Sequence, residues 1–383
     1  MLESYSRCWA EIDYDAIGHN VKEIKKLVGE TKIMGIVKAN AYGHGSVKCA
    51  KALEENGVDF FGVSSVDEAL ELRNAGIESS ILILGYTPPE HFHYLHEKKI
   101  TQSLISLDYA KRLNAYAKEH DVIIHAHCKV DTGMNRTGIQ DQDQKKEMDS
   151  IIEVFSLTKI SVDGMFTHFP VSDDLGEESA AFTKHQIELF NEVVASLKEI
   201  GIQPGILHVQ NSYGILNYGD LGMDYCRPGL LYMGVTSDDS IPILSQPNFI
   251  PVMSLYANVS VVKTIKAGQT VGYGRHFMAT KPTKIATISI GYADGLPRLL
   301  SNKNHEVLIH GKRCPLVGNI CMDQCMVDVT EIEDVKEGDI CCLVGRQGDE
   351  VVTIDSISRD AHTINNETLS AIAARVPRLD KRG

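Results

Sequence analysis

The sequence lacks long apolar runs and dense clusters of basic residues. No uninterrupted apolar stretch approaches the ~18 residues of a membrane span, and the amino terminus, Met1–Arg7, has no apolar segment of the kind found in secretion signals. The chain carries 38 Lys and Arg against 51 Asp and Glu, a formal net charge of -13. Because a nucleic-acid partner requires a dense basic surface, we expect none. We expect a cytoplasmic protein, or the cytoplasmic domain of a larger membrane protein.

Cysteine pairs with the spacing of zinc sites are also missing. The nine cysteines are odd in number and scattered from Cys8 to Cys342, which does not make a disulfide framework in a chain of 383 residues. Cys321 and Cys325 are four apart, Cys341 and Cys342 are adjacent, and neither spacing matches a zinc motif. We therefore expect a reducing compartment and no bound metal.

The first 240 residues repeat one unit, in which a short apolar run is followed by a turn and an amphipathic helical segment. Helix starts include the capping box Ser65-Val-Asp-Glu68, and the charged stretch Asp141–Glu147 is predicted to begin a solvated helix. Eight strands alternating with helices are typical of a (β/α)8 TIM-type barrel. An open doubly wound sheet is the alternative, although the first strand-to-helix turn lacks its glycine motif. The predicted strands are 32–37, 59–64, 81–85, 101–105, 122–130, 162–168, 206–209 and 223–227.

The pattern changes beyond Gly234. The segment Ile241–Asn248 is typical of a linker, and short alternating runs separated by glycine-containing turns replace the helical pattern. We predict two domains, a barrel over residues 1–240 and a mainly β domain over residues 241–383. The predicted strands of the second domain are 252–265, 270–273, 284–292, 306–309, 326–329, 340–344 and 351–354.

The working face of a (β/α)8 barrel is the C-terminal end of its strands. Lys38 follows the first predicted strand, and Ser212 and the Gly229–Leu230 amides lie in the loops where such barrels commonly hold phosphate. A lysine opposite a phosphate corner, with aromatic residues nearby, suggests pyridoxal phosphate bound as a Schiff base. The alternative for Lys38 is a strand-capping lysine that reaches solvent. Other polar residues predicted at this face are Tyr42, Lys129, Asp131, Arg136, His168, His208, Asn211 and Arg227.

Each of these side chains also has a purely structural interpretation. Taken alone, His168 and His208 are more often core histidines than catalysts, and Arg136 could simply pair with Asp131. Their convergence on one barrel mouth favours a functional site.

Four separated motifs, in order, resemble those of the alanine racemases, a family of pyridoxal phosphate enzymes with an N-terminal barrel and a C-terminal β domain. The resemblance runs nearly end to end. The motifs are Val37-Lys-Ala-Asn-Ala-Tyr-Gly-His-Gly45, Asp131-Thr-Gly-Met-Asn-Arg-Thr-Gly138, Ile290-Gly-Tyr-Ala-Asp-Gly295 and Gly318-Asn-Ile-Cys-Met-Asp-Gln324.

The resemblance implies two catalytic bases and a cofactor. Lys38 would hold pyridoxal phosphate and act on one face of the substrate Cα, and Tyr292 would act on the other. Racemisation requires two such groups, because a planar carbanion loses its handedness only if a proton leaves one face and returns to the other. Tyr292 would reach the cofactor of the other subunit in this family, which implies a head-to-tail homodimer with shared active sites.

The resemblance also implies the binding roles. Tyr42, Ser212, Gly229 and Leu230 would hold the phosphate, and Arg227 would face the pyridine nitrogen. Arg136 would contact the phenolic oxygen of the cofactor and the substrate carboxylate, and the Met322 backbone amide would bind the same carboxylate. His168 would lie beside Tyr292 or Arg227. Lys129 matches a position that is carbamylated in some relatives.

One departure bears on the substrate. Ala374 stands where the family often has a tyrosine that helps to set pocket size and touches the phosphate. The expected substrate is alanine, for peptidoglycan synthesis, and the alternative is serine, as in the serine racemases of vancomycin resistance. A decarboxylase of basic amino acids is a further alternative, and Arg227 argues against it. A non-catalytic carrier of the cofactor is another, and the second domain argues against it.

Overall fold

A computed structural model of the chain describes residues 6–140 and 148–381. The helix start predicted at Asp141–Glu147 lies outside these described residues. Within them, no helix is long and apolar enough to cross a membrane.

The first half of the chain alternates strands with helices. Its strands are β1 (Cys8–Ile12), β2 (Lys32–Ile36), β3 (Phe60–Val63), β4 (Ser80–Ile83), β5 (Thr101–Leu104), β6 (Ile124–Asp131), β7 (Ile139–Gln140), β8 (Ile160–Phe166), β9 (Ile206–His208) and β10 (Tyr225–Cys226). Its helical elements are α1 (Tyr14–Val28), α2 (Lys38–Tyr42), α3 (Ser46–Glu55), α4 (Val66–Asn74), α5 (Phe92–Glu97), α6 (Leu107–Glu119), α7 (Met148–Phe155), α8 (Glu177–Glu199) and α9 (Ser212–Tyr218).

Eight of these strands close into a parallel barrel. The order is β2, β3, β4, β5, β6, β8, β9 and β10, and β10 pairs back onto β2. All eight predicted strands are present, so the predicted barrel is confirmed. The doubly wound alternative is wrong, because an open sheet would leave two edges unpaired where β2 and β10 are hydrogen-bonded.

Helix α1 illustrates how the outer layer forms. The Asp13 carboxylate accepts a hydrogen bond from the Ala16 amide at 2.9 Å and so caps the first turn. Ile17, Val21 and Ile24 recur at helical spacing and are fully buried against the barrel. The apolar stripe therefore fixes which face of the helix packs inward.

The second half of the chain is mainly β. Its elements are β11 (Met253–Ile265), β12 (Thr270–Val271), β13 (Phe277–Met278), β14 (Thr283–Ile288), β15 (Glu306–Ile309), β16 (Lys312–Pro315), β17 (Cys325–Asp328), β18 (Ile340–Gln347), β19 (Glu350–Val352), α10 (Ile354–Asp360), α11 (Asn365–Ser370) and β20 (Arg378–Asp380). The barrel followed by a mainly β domain confirms the predicted fold class.

The two ends of the described chain meet in the sheet of the second domain. Strand β1 pairs antiparallel with β11, with Cys8 opposite Ala257, and parallel with β20, with Ala10 opposite Arg378. These pairings are long-range in sequence, and no local pattern indicates them. As a result, the first strand lies outside the barrel that follows it.

Two details of the second domain differ from the prediction. The strand predicted over residues 284–292 ends at Ile288, and Tyr292 begins a short 3-10 helix, Tyr292–Asp294. The chain turns because Gly291 packs against the backbone of the 321–322 segment, where a Cβ would lie 2.3 Å from the Cys321 carbonyl oxygen. The short helices α10 and α11 were not predicted, since six or seven residues carry too little periodicity.

Candidate active site

A cavity of about 240 Å³ opens at the C-terminal ends of the barrel strands. The structure brings together here ten residues that the sequence placed at this face: Lys38, Tyr42, Lys129, Arg136, His168, Asn211, Ser212, Arg227, Gly229 and Leu230. The rest of the described wall is formed by Ile36, Leu84, Phe166, Tyr213, Ser237 and Asn366.

A larger cavity of about 590 Å³ lies between the two domains. Its wall is mostly apolar and contains none of the predicted site residues. We assign the active site to the smaller cavity, because polar and ionisable groups converge there.

Lys38 stands at the start of a left-handed turn, α2. Ala39, Asn40, Ala41 and Tyr42 all have φ between 51° and 53°. For residues with a Cβ this conformation costs roughly 1–2 kcal/mol each, so neighbouring groups must hold it. The turn places Lys38 and the Tyr42 ring in the same cavity.

Glu68 supplies one of the contacts that hold this turn. Its carboxylate accepts hydrogen bonds from the Ala39 amide at 2.7 Å and from the Ser64 amide and hydroxyl at 2.7 and 2.8 Å. The Ser65 hydroxyl caps α4, as predicted, by accepting from the Glu68 amide at 3.4 Å. The predicted reciprocal bond of the capping box is wrong, because the Glu68 side chain is used at the Lys38 turn instead.

The cavity is strongly cationic. Lys38, Lys129, Arg136 and Arg227 line it, and none of its described lining residues is Asp or Glu. Burial, followed by Arg136, lowers the pKa of Lys38, and Glu68 opposes this shift. The same two causes lower the pKa of Lys129 to about 8. Such a cavity suits a ligand with several negative charges.

Asp131 does not neutralise Arg136. One Asp131 carboxylate oxygen accepts from the amides of Gly133 and Asn135, both at 3.0 Å, and Asp131 and Arg136 form no ion pair with each other. Lys129 Nζ donates to the Thr137 hydroxyl at 2.6 Å. The structural interpretation of Arg136 as the partner of Asp131 is therefore wrong.

Arg227 is buried at the end of β10 and is held by backbone oxygens. It donates to the carbonyls of Thr167, His208 and Val209 at 2.7, 2.6 and 3.0 Å. It also donates to Nδ1 of His208 at 2.8 Å and approaches Nδ1 of His168 at 3.3 Å. These contacts use Nη1 and Nη2, and among the described residues the Nε–H has no partner.

The histidines behind Arg227 are neutral. Because an arginine only donates, His208 Nδ1 accepts, and its Nε2–H is assigned as the donor to His127 Nδ1 at 2.8 Å. Burial lowers the pKa of His127 to about 4 and those of His168 and His208 well below their ordinary value. His208 is thus a core histidine that supports Arg227. His127 was not predicted, because nothing near it in sequence indicates its partner.

Because these histidines are buried in their neutral form, we expect the protein to lose stability in mild acid. Burial also lowers the pKa of His44 to about 4. The unfolded chain takes up protons below about pH 6.5, whereas folded His44 and His127 stay neutral until about pH 4. The contribution of each neutral histidine to the free energy of unfolding is therefore complete above pH 6.5. It is lost as the pH falls toward 4, and the loss reaches about 3 kcal/mol for each histidine.

The measurement is the free energy of urea unfolding between pH 7.5 and 5. We expect His127→Gln to unfold with a shallower pH dependence than the wild type, and His120→Gln, at an exposed position, to keep the wild-type slope. Equal slopes in His127→Gln and the wild type would contradict the assignment of a neutral buried histidine.

Small and hydroxyl-bearing residues form a polar corner of the cavity that Lys38 lines. The Gly229 amide donates to the Ser212 hydroxyl at 3.2 Å, and a Cβ at Gly229 would lie 2.4 Å from the Tyr42 hydroxyl. Only glycine therefore allows Tyr42 to reach this corner. Asn366, from the second domain, also lines the cavity, and its buried Oδ1 has no hydrogen-bond partner within residues 6–140 and 148–381.

Three predicted residues lie outside this cavity. Tyr292 and Met322 are 41% and 54% exposed on the second domain. They lie side by side, because the Tyr292 amide donates to the Cys321 carbonyl at 3.1 Å and the Ala293 amide to the Met322 carbonyl at 3.0 Å. Ala374 is exposed as well. The fold of the single chain therefore does not bring these three residues to its own cavity.

Comparison with known proteins identifies the family. Residues 12–237 match the family described as "Alanine racemase, N-terminal domain", and residues 252–380 match "Alanine racemase, C-terminal domain". The chain belongs to the alanine racemase family. Alanine racemase 2 of Caldanaerobacter subterraneus is 42% identical over 371 residues, which cover 96% of this chain and 93% of that protein.

Further similar proteins include a longer racemase and two alanine racemases of known structure. An amino-acid racemase of Enterococcus faecalis is 38% identical, and the match covers 97% of this chain and 51% of that protein. The structure of alanine racemase from Clostridium difficile 630 is 38% identical, with a TM-score of 0.89 over 98% of this chain and 95% of that one. The Bartonella henselae alanine racemase, whose crystal structure contains covalently bound pyridoxal phosphate, is 31% identical. Its TM-score is 0.85, and the match covers 98% of this chain and 100% of that one.

Proposed function

We propose that this protein is a pyridoxal phosphate-dependent alanine racemase, an isomerase that interconverts L- and D-alanine and supplies D-alanine for peptidoglycan. The observation that carries the proposal is the half-buried Lys38 amine beside three further basic side chains, in a cavity whose described lining has no carboxylate. Membership of the family and the racemase names of its relatives support the reaction type.

The residues of the cavity fit pyridoxal phosphate. Lys38 would hold the cofactor covalently, and the hydroxyls of Tyr42 and Ser212 with the amides of Gly229 and Leu230 would hold its phosphate. The unpartnered Oδ1 of Asn366 and the cationic character of the cavity are both consistent with a ligand that belongs there. When bound, the cofactor supplies an electron sink next to the substrate Cα.

Arg227 would face the pyridine nitrogen through its free Nε–H. Burial lowers the pKa of Arg227 to about 9, which leaves it protonated at neutral pH. A protonated guanidinium donates a hydrogen bond without readily giving up its proton. Arg227 would therefore leave the ring nitrogen unprotonated, and this would favour return of the proton to Cα over other outcomes. His168 would support this side of the site.

The two bases would act on opposite faces of the substrate. The lowered pKa of Lys38 increases the share of neutral amine, which can accept a proton from Cα. Tyr292 would exchange a proton on the other face. Arg136 and the Met322 amide would bind the substrate carboxylate, and Arg136 would also contact the phenolic oxygen of the cofactor.

We further propose a head-to-tail homodimer. The exposure of Tyr292 and Met322, and their absence from the cavity wall of their own protomer, support delivery to the cavity of a partner. A monomer would then lack its second base.

We also propose that the neutral Lys129 amine reacts with carbon dioxide to form a carbamate and release a proton. An amine with a pKa of about 8 is partly neutral at physiological pH, and the carbamate would pair with Arg136.

Serine is the alternative substrate. Its basis is that Ala374 stands where the family often has a tyrosine. Ala374 is exposed next to Arg375, so in the proposed dimer it would contribute to the active site of the partner subunit. A decarboxylase of basic amino acids is not favoured, because the described cavity lining offers no carboxylate for a distal amine.

A substrate panel tests the function. We expect loss of optical rotation from L-alanine, with a kcat/KM roughly tenfold to a hundredfold above that for L-serine, since a small pocket rejects an added hydroxyl only weakly. Ala374→Tyr should lower serine turnover more than alanine turnover, and unchanged serine turnover would remove the pocket argument. Release of carbon dioxide from lysine or ornithine without racemisation of either substrate would contradict the proposal.

A further inference from the structure

The second domain contains a fully buried carboxylate two residues after Tyr292. The Asp294 side chain has 0% exposure. One oxygen accepts from the Gly291 amide at 2.8 Å, and the other accepts from Arg7 Nη2 at 2.5 Å and from Arg375 Nε at 2.7 Å. A single carboxylate therefore joins segments that are almost the whole chain apart in sequence.

The two arginines extend this contact to the segment that carries Met322. Arg7 Nη1 donates to the carbonyls of Ser289 and Asp323 at 2.9 and 3.0 Å. Arg375 Nη2 donates to the Asp323 carboxylate at 2.5 Å. The residue that follows Met322 is thus fixed by the same arginines that bind Asp294.

Backbone packing leaves little freedom between these segments. A Cβ at Gly291 would lie 2.3 and 2.5 Å from the carbonyl oxygens of Cys321 and Met322, and Gly295, at a φ of 105°, approaches the Ala371 carbonyl in the same way. The Ala373 amide also donates to the Asp294 carbonyl at 3.0 Å. Both glycines of the Gly-Tyr-Ala-Asp-Gly motif are therefore required by close contacts around Asp294.

The Tyr292 side chain itself is 41% exposed, so packing within its own chain holds it only in part. Its orientation depends on the backbone of residues 291–294, and Asp294 is the side chain that ties this backbone to Arg7 and Arg375. We propose that Asp294 is a positioning residue, which with Arg7 and Arg375 holds Tyr292 and Met322 as one rigid unit for presentation to a partner subunit. This inference rests on the proposed role of Tyr292 as the second base.

Measurement of α-hydrogen exchange separates this role from general damage. The two enantiomers have equal free energies, so racemisation in the two directions slows together in any variant. Exchange of the α-hydrogen in deuterated solvent, followed separately from each enantiomer at early times, instead reports the base on each face. Tyr292→Phe provides the reference, in which exchange from one enantiomer is lost.

We expect Asp294→Asn to shift the ratio of the two exchange rates in the direction of Tyr292→Phe by roughly tenfold or more, since a small displacement of a reacting group has a large effect on rate. In the cofactor-free protein, amide hydrogen exchange should accelerate in residues 289–295 and 320–324. The matched control is Asp360→Asn, which removes the carboxylate bound to buried His305 at 2.7 Å in the same domain. It should lower stability without changing the ratio.

A second variant keeps the test decisive if Asp294→Asn does not fold. Arg7→Lys preserves the charge but removes the forked geometry that spans Asp294 and the two carbonyls, and it should shift the ratio in the same direction. An equal fall in both exchange rates, or an unchanged ratio in every variant that folds, would overturn the inference. If the wild type exchanges neither enantiomer, the proposed function fails first, which is a different result.

Discussion

Replacing Lys38 with alanine is expected to abolish both cofactor attachment and racemisation. Two lysines, Lys38 and Lys129, line the described cavity, and Lys38 is the one at the Tyr42 turn. It would serve as the covalent anchor and as one of the two bases. Loss of a general base alone typically lowers the rate by about 100- to 10,000-fold, and loss of the anchor adds to this. The purified variant should lack the visible absorbance band that borohydride removes from the wild type.

Lys32→Ala is the matched control for this variant. Lys32 begins the same strand, β2, and its exposed ion pair with Asp59 at 3.3 Å contributes little to stability. We expect Lys32→Ala to retain the band and the activity. Racemisation within tenfold of the wild-type rate in Lys38→Ala would show that another group anchors the cofactor.

Tyr292→Phe is expected to lower racemisation by about 100- to 10,000-fold, because it removes the proposed base on the second face. The cofactor band should remain, since Lys38 is intact. Tyr256→Phe is the control, because this tyrosine lies in strand β11 of the same domain and away from the Gly-Tyr-Ala-Asp-Gly motif. It should retain activity.

Mixing the two inactive variants tests the shared site. In a head-to-tail dimer of one Lys38→Ala and one Tyr292→Phe subunit, one site carries both changes and the other carries neither. Random reassociation of equal amounts should therefore recover roughly a quarter of the wild-type activity. Absence of recovery from subunits that demonstrably exchange would contradict delivery of Tyr292 by the partner.

Much of the barrel could be predicted because its determinants are local. Each barrel strand is a short apolar run bounded by a turn, and the helices between them carry apolar stripes at helical spacing. Lys38 could be placed at the barrel mouth for the same reason, since it follows one such run directly. The motif resemblance then indicated nine residues that the structure places in one cavity.

The supporting residues of the site could not be predicted, because each acts over a long distance in sequence. Glu68 lies in a helix cap by its local pattern, yet its carboxylate holds the Lys38 turn. His127 supports Arg227 through His208, and Asn366 reaches the cavity from the second domain. No periodicity reports such pairings, since they depend on which strands become neighbours.

The sequence by itself determined that a barrel precedes a β domain, and that a lysine ends the first barrel strand. Only the tertiary structure decided how that lysine is held and used. It builds four consecutive left-handed residues after Lys38, lowers the pKa of the half-buried Lys38 amine beside other basic side chains, and turns Tyr292 outward beside Met322. The physical reason is that periodic apolar burial is encoded residue by residue, whereas strain, desolvation and ion pairing arise only when distant segments are packed together.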